Sequence, residues 1–278
     1  MTDLLLDVLL DTLKLIPYLF ITFLIIELLE HKLSSKNTKI LAKNRKIGPL
    51  FGGIFGALPQ CGFSAMASNL YSSRIITKGT LIAIFLSTSD EMLPIFISEQ
   101  VSIIRILQII GFKVIVGILI GFIVDLIFRN KEKNELNIHE MCEHDDCNCE
   151  EDGILLSSIK HTLKTTFFIL IANLVIGLII YFIGEDTLKE FLMNKNILSY
   201  FIASLIGLIP NCASSVIITE IYLADLISLG TLLSGLLTGS GIGILLLFKT
   251  NKNLKDNLTI LSIIYFVGVI IGLIVDLL

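Results

Sequence analysis

Two stretches of the sequence, GALPQC at residues 56–61 and GLIPNC at residues 207–212, decide how the whole chain is interpreted. Each lies in the middle of an apolar segment and sets a proline, an amide and a thiol in consecutive positions. Proline breaks a helix because it lacks an N–H group and its ring clashes with the preceding turn. Broken backbone at membrane depth is tolerated only where it is buried in protein or lines a cavity. The two stretches therefore predict two broken helices that form the halves of one binding site.

The composition is that of a membrane protein. Hydrophobic residues make up 54% of the 278-residue chain, and the mean hydropathy is +0.86. A soluble domain carries about 25% charged residues, whereas this chain has 17%, in clusters. Several apolar runs have the length of about 20 residues that spans a bilayer as a helix. We expect an all-α, multi-pass protein of the plasma (inner) membrane. We expect no enzyme, since the Walker GxxxxGK[ST], HExxH and GxSxG patterns are missing from the sequence.

The sequence repeats itself at an offset of 151 residues. The two Pro-x-Cys stretches match at this offset, and so do the GTL triplets at 79–81 and 230–232. The glycines and the Val-Asp-Leu triplet of 116–126 recur in 267–277. Collinear matches at one offset predict two repeats, at residues 1–128 and 161–278, joined by an acidic Cys/His linker at residues 129–160.

Each repeat is expected to contain three crossings and one re-entrant or broken hairpin. A hairpin arm of about 11 residues is about 16 Å of helix, or half of a 30 Å hydrocarbon core. An odd number of crossings makes the repeats inverted, with 31–46 and 129–160 in the cytoplasm. This topology leaves 16 Lys and Arg on the cytoplasmic side and 4 outside, as the positive-inside rule favours. If each motif segment crossed once, the numbers would be 12 and 8. The expected crossings are 8–29, 79–98, 104–128, 161–183, 227–248 and 258–278, and the expected hairpins are 47–72 and 197–223.

The predicted substrate site lies where the two hairpin tips meet. Broken helices in corresponding places of two inverted repeats indicate a transporter binding site near the bilayer midplane. Amides and hydroxyls would supply hard ligands, and the thiols of Cys61 and Cys212 would supply soft ligands for a metal or metalloid. Alternatively, each Cys is a small buried hydrophobe beside a kink. The predicted substrate-binding residues are Pro59, Gln60, Cys61, Ser64 and Ser87 in the first repeat, with Pro210, Asn211, Cys212, Ser214 and Ser215 in the second.

Two acidic residues, Asp90 and Glu91, interrupt the second predicted crossing at about 17 Å from its inner end. A carboxylate inside the membrane is costly, and its presence suggests a function. We predict that Asp90 and Glu91 bind the metal or the coupling proton. The alternative is a shorter span that leaves both at the outer interface. The equivalent residues of the second repeat, Gly241 and Ile242, carry no charge.

The linker is rich in metal-binding residue types. Its Cys-x4-Cys-x-Cys spacing matches no zinc ribbon or finger, so a loosely structured metal-capture segment is expected. The alternative is an acidic, disordered linker without a metal function. The candidate ligands are His139, Cys142, His144, Cys147 and Cys149.

Together, the paired Pro-x-Cys motifs, the Ser-Thr-Ser-Asp-Glu break at 87–91 and the Cys/His linker resemble the ten-helix heavy-metal exporters, a family labelled as arsenic efflux or manganese transporter proteins. Counting each hairpin arm as a helix gives five helices per repeat, hence ten. The resemblance covers the whole chain and implies efflux of a heavy metal or metalloid. We hypothesise coupling to protons or to ion motive force. Apart from the transported ion, no cofactor is expected. The lipid bilayer is the expected partner, nucleic acid is not, and a homodimer is compatible with the sequence.

A second interpretation belongs to another class. One Cys per inverted repeat at a proline break also resembles transmembrane thiol-disulfide electron carriers, in which Cys61 and Cys212 would form a disulfide at the midplane. Those carriers have no evident need for Asp90, Glu91 or the Cys/His linker. A passive channel is a third interpretation.

Overall fold

The computed structural model describes residues 2–32, 47–58, 61–89, 92–128, 154–183 and 197–278. Within these ranges the chain is helical and contains no strand. This confirms the predicted all-α class. The helices are α1 Thr2–Lys32, α2 Gly48–Gly56, α3 Cys61–Ser72, α4 Lys78–Ser87, α5 Met92–Ser98, α6 Ile103–Phe128, α7 Ile154–Ile183, α8 Leu198–Gly207, α9 Cys212–Leu223, α10 Leu229–Thr238, α11 Ile242–Thr250 and α12 Leu254–Leu277.

Six helical segments of the described chain are long and apolar enough to cross a membrane. They correspond to the six predicted crossings, and two of them are interrupted. The first interruption lies between α4 and α5, and the second lies between α10 and α11. The multi-pass prediction is therefore confirmed at this level. The segments are Val8–Ile25, Lys78–Ser98, Ile103–Phe128, Leu155–Ile176, Leu229–Thr250 and Leu254–Leu277.

Helix α7 begins earlier than the sequence suggests. The prediction starts this crossing at residue 161, whereas the helix starts at Ile154, inside the range assigned to the linker. Ser157 and Ser158 are fully buried in these two extra turns. The helix extends because its first turns pack against the rest of the molecule instead of entering solvent.

The helices of the two halves repeat at the same offset as the sequence. Helix α3 begins at Cys61 and α9 begins at Cys212, and the starts of α4 and α10 and of α6 and α12 are related in the same way. The turns after α3 and α9 also repeat, since Arg74 and Asp225 both adopt a φ of 60°. The repetition therefore extends from the sequence to the local backbone.

Helix α2 runs beside α4 in the same direction. Gly48 at the start of α2 lies against Thr80 near the start of α4, and Gly56 at its end lies against Ile84 and Ser87. Since the start of α4 lies level with the start of α2, the chain turns back between α2 and α3. The absence of side chains at these glycines permits the close approach of the two helices.

The second half has the same arrangement. Ser199 near the start of α8 is 3.3 Å from the Thr231 hydroxyl near the start of α10. Gly207 at the end of α8 lies against Gly235 and Thr238 at the end of α10. Helices α8 and α10 therefore also run in parallel and end together.

The long helix α12 relates the two halves to one another. Near its start, Asp256 forms an ion pair with Lys78 at the start of α4. Near its end, Asp276 accepts a hydrogen bond from the backbone N–H of Gly230 at the start of α10. About 30 Å of helix separates these two aspartates, which is the thickness of the hydrocarbon core. Helices α4 and α10 thus start at opposite ends of α12, and we call these the Asp256 end and the Asp276 end.

The two halves are packed into one another. Helix α3 of the first half contacts α11 of the second, and α5 of the first contacts α9 of the second. Phe96 on α5 belongs to one hydrophobic cluster with Ile218 on α9. Ala65 on α3 belongs to another with Leu246 on α11. Each short helix after an interruption therefore packs on a hairpin arm of the other half.

Candidate functional site

The centre of the molecule is built from helix ends. Helices α2, α4, α8 and α10 end there, and α3, α5, α9 and α11 begin immediately after the turns and interruptions. A helix N-terminus carries about half a positive charge and a C-terminus about half a negative charge. This region therefore offers backbone N–H and C=O groups that no helix uses. Such groups can bind ions where regular helices would offer none.

Asn211 organises the turn between α8 and α9. It is the N-cap of α9, with extended backbone angles of φ −146° and ψ 145°. Its side-chain Oδ1 accepts a hydrogen bond from the N–H of Ala213 at 3.0 Å. Asparagine is among the best N-cap residues because it satisfies one N–H of the first turn. The Nδ2 group of Asn211 supplies further donors at the mouth of the turn.

Two serines follow on the first turn of α9. The Ser214 hydroxyl donates to the carbonyl oxygen of Asn211 at 2.9 Å, and the Ser215 hydroxyl donates to that of Cys212 at 2.8 Å. Both hydroxyl oxygens keep lone pairs that can accept a hydrogen bond or coordinate a metal. Cys212 itself is half-buried.

A cleft lies at the meeting point of the two halves. It is small, with a cavity volume of about 10 Å³, which is about the room that one water or ion needs. The first half contributes its helix interruption, and the second contributes both its hairpin turn and its interruption. Gly241 on the rim has a φ of 51°, which glycine adopts without the steric cost of a side chain. The lining residues are Thr88, Ser89, Asn211, Cys212, Ser214, Ser215, Leu236, Gly239 and Gly241.

A buried lysine stands beside this cleft. Lys113 on α6 is 0% exposed. Its ammonium donates to the carbonyl oxygen of Thr88 and, at 2.8 Å, to that of Leu236. Thr88 and Leu236 both line the cleft, one from each half. The lysine therefore joins the interruption of the first half to the last turn of α10.

A family model described as "Putative, 10TM heavy-metal exporter" matches residues 1–187 and 181–278. The chain belongs to this family. The resemblance inferred from the motifs is thereby confirmed, and the membrane protein is a member of a family of heavy-metal exporters. In the part of the chain that the structure describes, ten helical segments are found when α4–α5 and α10–α11 are each counted as one, and six of them are long and apolar enough to cross a membrane. No curated protein and no solved structure matches the chain significantly.

In this exporter-family member, four of the predicted site residues meet at the cleft. They are Asn211, Cys212, Ser214 and Ser215. Pro210 precedes them in the same turn. Two other predicted residues lie elsewhere. Ser64 is buried on α3 against Gly243 of α11, and the Ser87 hydroxyl donates to the carbonyl oxygen of Ala83 at 2.7 Å within α4.

The remaining predicted ligands lie outside the described residues. They are Pro59, Gln60, Asp90, Glu91, the side chain of Cys61, and the linker residues His139, Cys142, His144, Cys147 and Cys149. In the part of the chain that the structure describes, no three His, Cys, Asp or Glu side chains form a group able to hold a metal ion.

Lys113 is the functional candidate that the sequence reasoning missed. The sequence carries a usable signal, since a single lysine lies within the 26-residue apolar helix Ile103–Phe128. An ionisable residue in such a position suggests a function by its cost alone. The equivalent position in the second half is Ile264, a buried residue of the hydrophobic core. The lysine is therefore a feature of the first half.

At its two ends, the exporter-family member has related contacts between the halves. At the Asp256 end, the Tyr71 hydroxyl donates to Asp256 at 2.5 Å, and Lys78 pairs with the same carboxylate at 2.5 Å. At the Asp276 end, Arg105 donates to the Tyr222 hydroxyl at 2.8 Å. Each tyrosine contact joins the second hairpin arm of one half to the start of the last helix of the other, and the Lys78 ion pair adds the start of α4 at the Asp256 end.

Proposed function

We propose that this protein is a secondary transporter that exports a heavy-metal ion or metalloid through the central cleft. The observation that carries the proposal is the cleft itself, because the interruptions of both halves and the turn before α9 contribute to it. A thiol, an amide and several hydroxyls provide both soft and hard ligands for such a cargo.

Alternating access requires that the site be reached from one side at a time. We propose that the two halves are inverted repeats. This is supported by the positions of α4 and α10, whose starts contact opposite ends of α12 while their last turns share the bridge through Lys113. In inverted-repeat transporters one repeat moves against the other around a fixed central site.

The finer assignments extend this proposal. Residues 31–46 and 129–160 are proposed to face the cytoplasm, and the membrane is proposed to be the plasma (inner) membrane. Asp90 and Glu91 directly follow the cleft residue Ser89 in the sequence, so we propose that they bind the cargo or the coupling proton. Cys61 is proposed to act with Cys212 from the equivalent position of the first half.

The test is metal resistance in cells that lack their own exporters. Wild type should protect against one class of metal or metalloid and should lower its cellular content by several fold. Cys212→Ser and Asp90→Asn should lose most of this protection while accumulating normally in the membrane. Gly111→Ala is the matched control, because a side chain added there meets no atom within 4 Å.

The results separate the competing functions. The class of metal against which wild type protects identifies the cargo. Loss of efflux in the two variants, with normal efflux in the Gly111→Ala control, supports the proposed site. Unchanged metal content in wild type, together with a Cys61–Cys212 disulfide that cellular reductants cycle, would establish the electron-carrier function instead.

A further inference from the structure

Lys113 lies deep between the two ends of the molecule. Counting along α6, it is about 12 Å from Arg105 and about 18 Å from Asp125. Arg105 is exposed at the Asp276 end, and Asp125 binds the N–H of Gly79 near the Asp256 end at 2.7 Å. The ammonium is therefore near the middle of the hydrocarbon core, where a charged group is expensive unless it is closely coordinated.

Two ligands of this ammonium are carbonyl groups at helix ends. Thr88 is the C-cap of α4, and Leu236 lies in the last turn of α10. The last carbonyls of a helix have no intrahelical partner. They also carry the negative end of the helix dipole. Two such ends, one from each half, converge on the Lys113 Nζ atom.

This is the chemical environment of a small monovalent cation. Carbonyls of interrupted helices coordinate ions of this kind in other transporters. A lysine ammonium is a compact point charge on a flexible stem. It can therefore fill the same position while remaining covalently attached to α6.

We infer that Lys113 is a built-in cation that holds the ends of α4 and α10 together beside the cleft, and that removing its side chain creates a binding site for a small monovalent cation. Lys113 is in this view a positioning residue, because it shapes the cleft through Thr88 and Leu236 without being a cargo ligand. Its effect on transport rests on the proposed function, whereas its effect on cation binding does not.

The experiment measures thermal unfolding of the purified full-length protein in detergent micelles. Wild type, Lys113→Ala, Lys113→Met and Lys249→Ala are compared in ammonium, sodium, potassium and choline chloride at equal concentration. Choline is too large to enter the space left by the lysine. Lys249 is a partly buried lysine on α11 that bonds Thr165, so its variant controls for the loss of any lysine.

The expected pattern is specific to the alanine variant at position 113. Its Tm should be well below that of wild type in choline and should rise with one of the small cations along a saturable curve, by about 5 °C at a large excess over Kd. Wild type and Lys249→Ala should change by less than about 1 °C. Lys113→Met should remain low in every salt, because its side chain fills the space without supplying a charge.

Three results would overturn the inference. They are an alanine variant as stable as wild type, a low Tm that no small cation raises more than choline does, and an equal response of Lys249→Ala. A matched assay in proteoliposomes follows metal flux, which should become dependent on the same cation in Lys113→Ala alone. If wild type carries no metal, the proposed function fails, while the unfolding data still decide the role of Lys113.

Discussion

At the two ends of the molecule, equivalent positions in the repeats carry side chains of opposite charge. Tyr71 and Tyr222 are related by the 151-residue offset, and so are Arg105 and Asp256. At both ends a tyrosine of one half bonds a residue at the start of the last helix of the other half. At one end that residue is a carboxylate, and at the other it is a guanidinium.

Burial separates the two ends further. The side chains of Lys78 and Asp256 are only 8% and 15% exposed, whereas Arg105 is exposed. Removing one partner of a buried ion pair costs about 3–5 kcal/mol, while an exposed charge contact is worth about 0–1 kcal/mol. The comparison teaches that two repeats can place a contact between the halves at equivalent positions and still make that contact much stronger at one end than at the other.

The strongest way to test this difference is to remove one cation from each end. Lys78→Met should lower the free energy of unfolding by about 1–3 kcal/mol, between the values for exposed and fully buried ion pairs, because partly buried Asp256 loses its ion-pair partner but keeps its bonds to Tyr71 and Asn251. Arg105→Met is the matched substitution and should cost about 1 kcal/mol or less. Thermal unfolding in micelles measures both, and equal losses would show that the ends do not differ in strength.

The next largest effect concerns a contact that both ends share. Gly79 and Gly230 start α4 and α10, and a Cβ at either would collide with a backbone carbonyl oxygen, of Gly121 and Gly272 respectively. Backbone cannot move aside as a side chain can, so Gly79→Ala and Gly230→Ala should each cost about 1–3 kcal/mol.

Gly111→Ala is the control for these two glycines, since the added methyl group meets open space. It should be neutral or slightly stabilising, because alanine favours a helix more than glycine does. If only one of the two glycine variants lost stability, the halves would be equivalent in sequence but not in the packing of these helices.

A smaller effect is expected from the aspartates that cap the half-helices. Asp125 binds the N–H of Gly79 at 2.7 Å and the Thr77 hydroxyl at 2.7 Å. Asp276 binds the N–H of Gly230 at 2.8 Å. Replacement by Ala should cost about 1–2 kcal/mol at half-buried Asp125 and less at exposed Asp276. Chemical denaturation of both variants measures this difference, and a larger loss at Asp276 would reverse the proposed order of the ends.

The smallest effect should come from the tyrosine hydroxyls. Tyr222→Phe removes an exposed bond to Arg105 and should cost about 0.5 kcal/mol, while Tyr71→Phe removes a bond to a carboxylate and should cost about 1.5 kcal/mol. The two changes in Tm should therefore differ in the same direction as those of the charged residues. Identical values would show that the tyrosine contacts contribute independently of the charge at each end.

The framework of the fold could be predicted from sequence because its signals are local. Apolar runs of bilayer length, repeated at a constant offset of 151 residues, predicted the crossings. Residues that disfavour a helix predicted the interruptions. The predicted fourth crossing starts about two turns after the first residue of α7. Ser157 and Ser158 are buried by tertiary packing, and this burial cannot be inferred from the sequence because serine is a polar residue.

The candidate site was only partly predictable for a related reason. Ser214 and Ser87 both donate to a carbonyl oxygen of the preceding turn. Only the packing of the helices decides that Ser214 lines the cleft and Ser87 does not. Lys113 was missed because the two carbonyls that it bonds belong to the backbone, and backbone groups have no signature in the sequence. The role of Lys113 depends on the ends of α4 and α10, which are far apart along the chain.

The packing of α3 against α11 has a consequence for how the protein is made. The Ser68 hydroxyl bonds the carbonyl oxygen of Gly243 at 2.6 Å, across 175 residues of chain. At a synthesis rate of about 5–20 residues per second, α3 waits about 9–35 s for this partner. Meanwhile the Ser68 hydroxyl can donate to Ser64 and that of Ser72 to Ser68, both within α3. Both bonds are also present in the folded protein, so α3 can satisfy these hydroxyls internally before α11 has been synthesised.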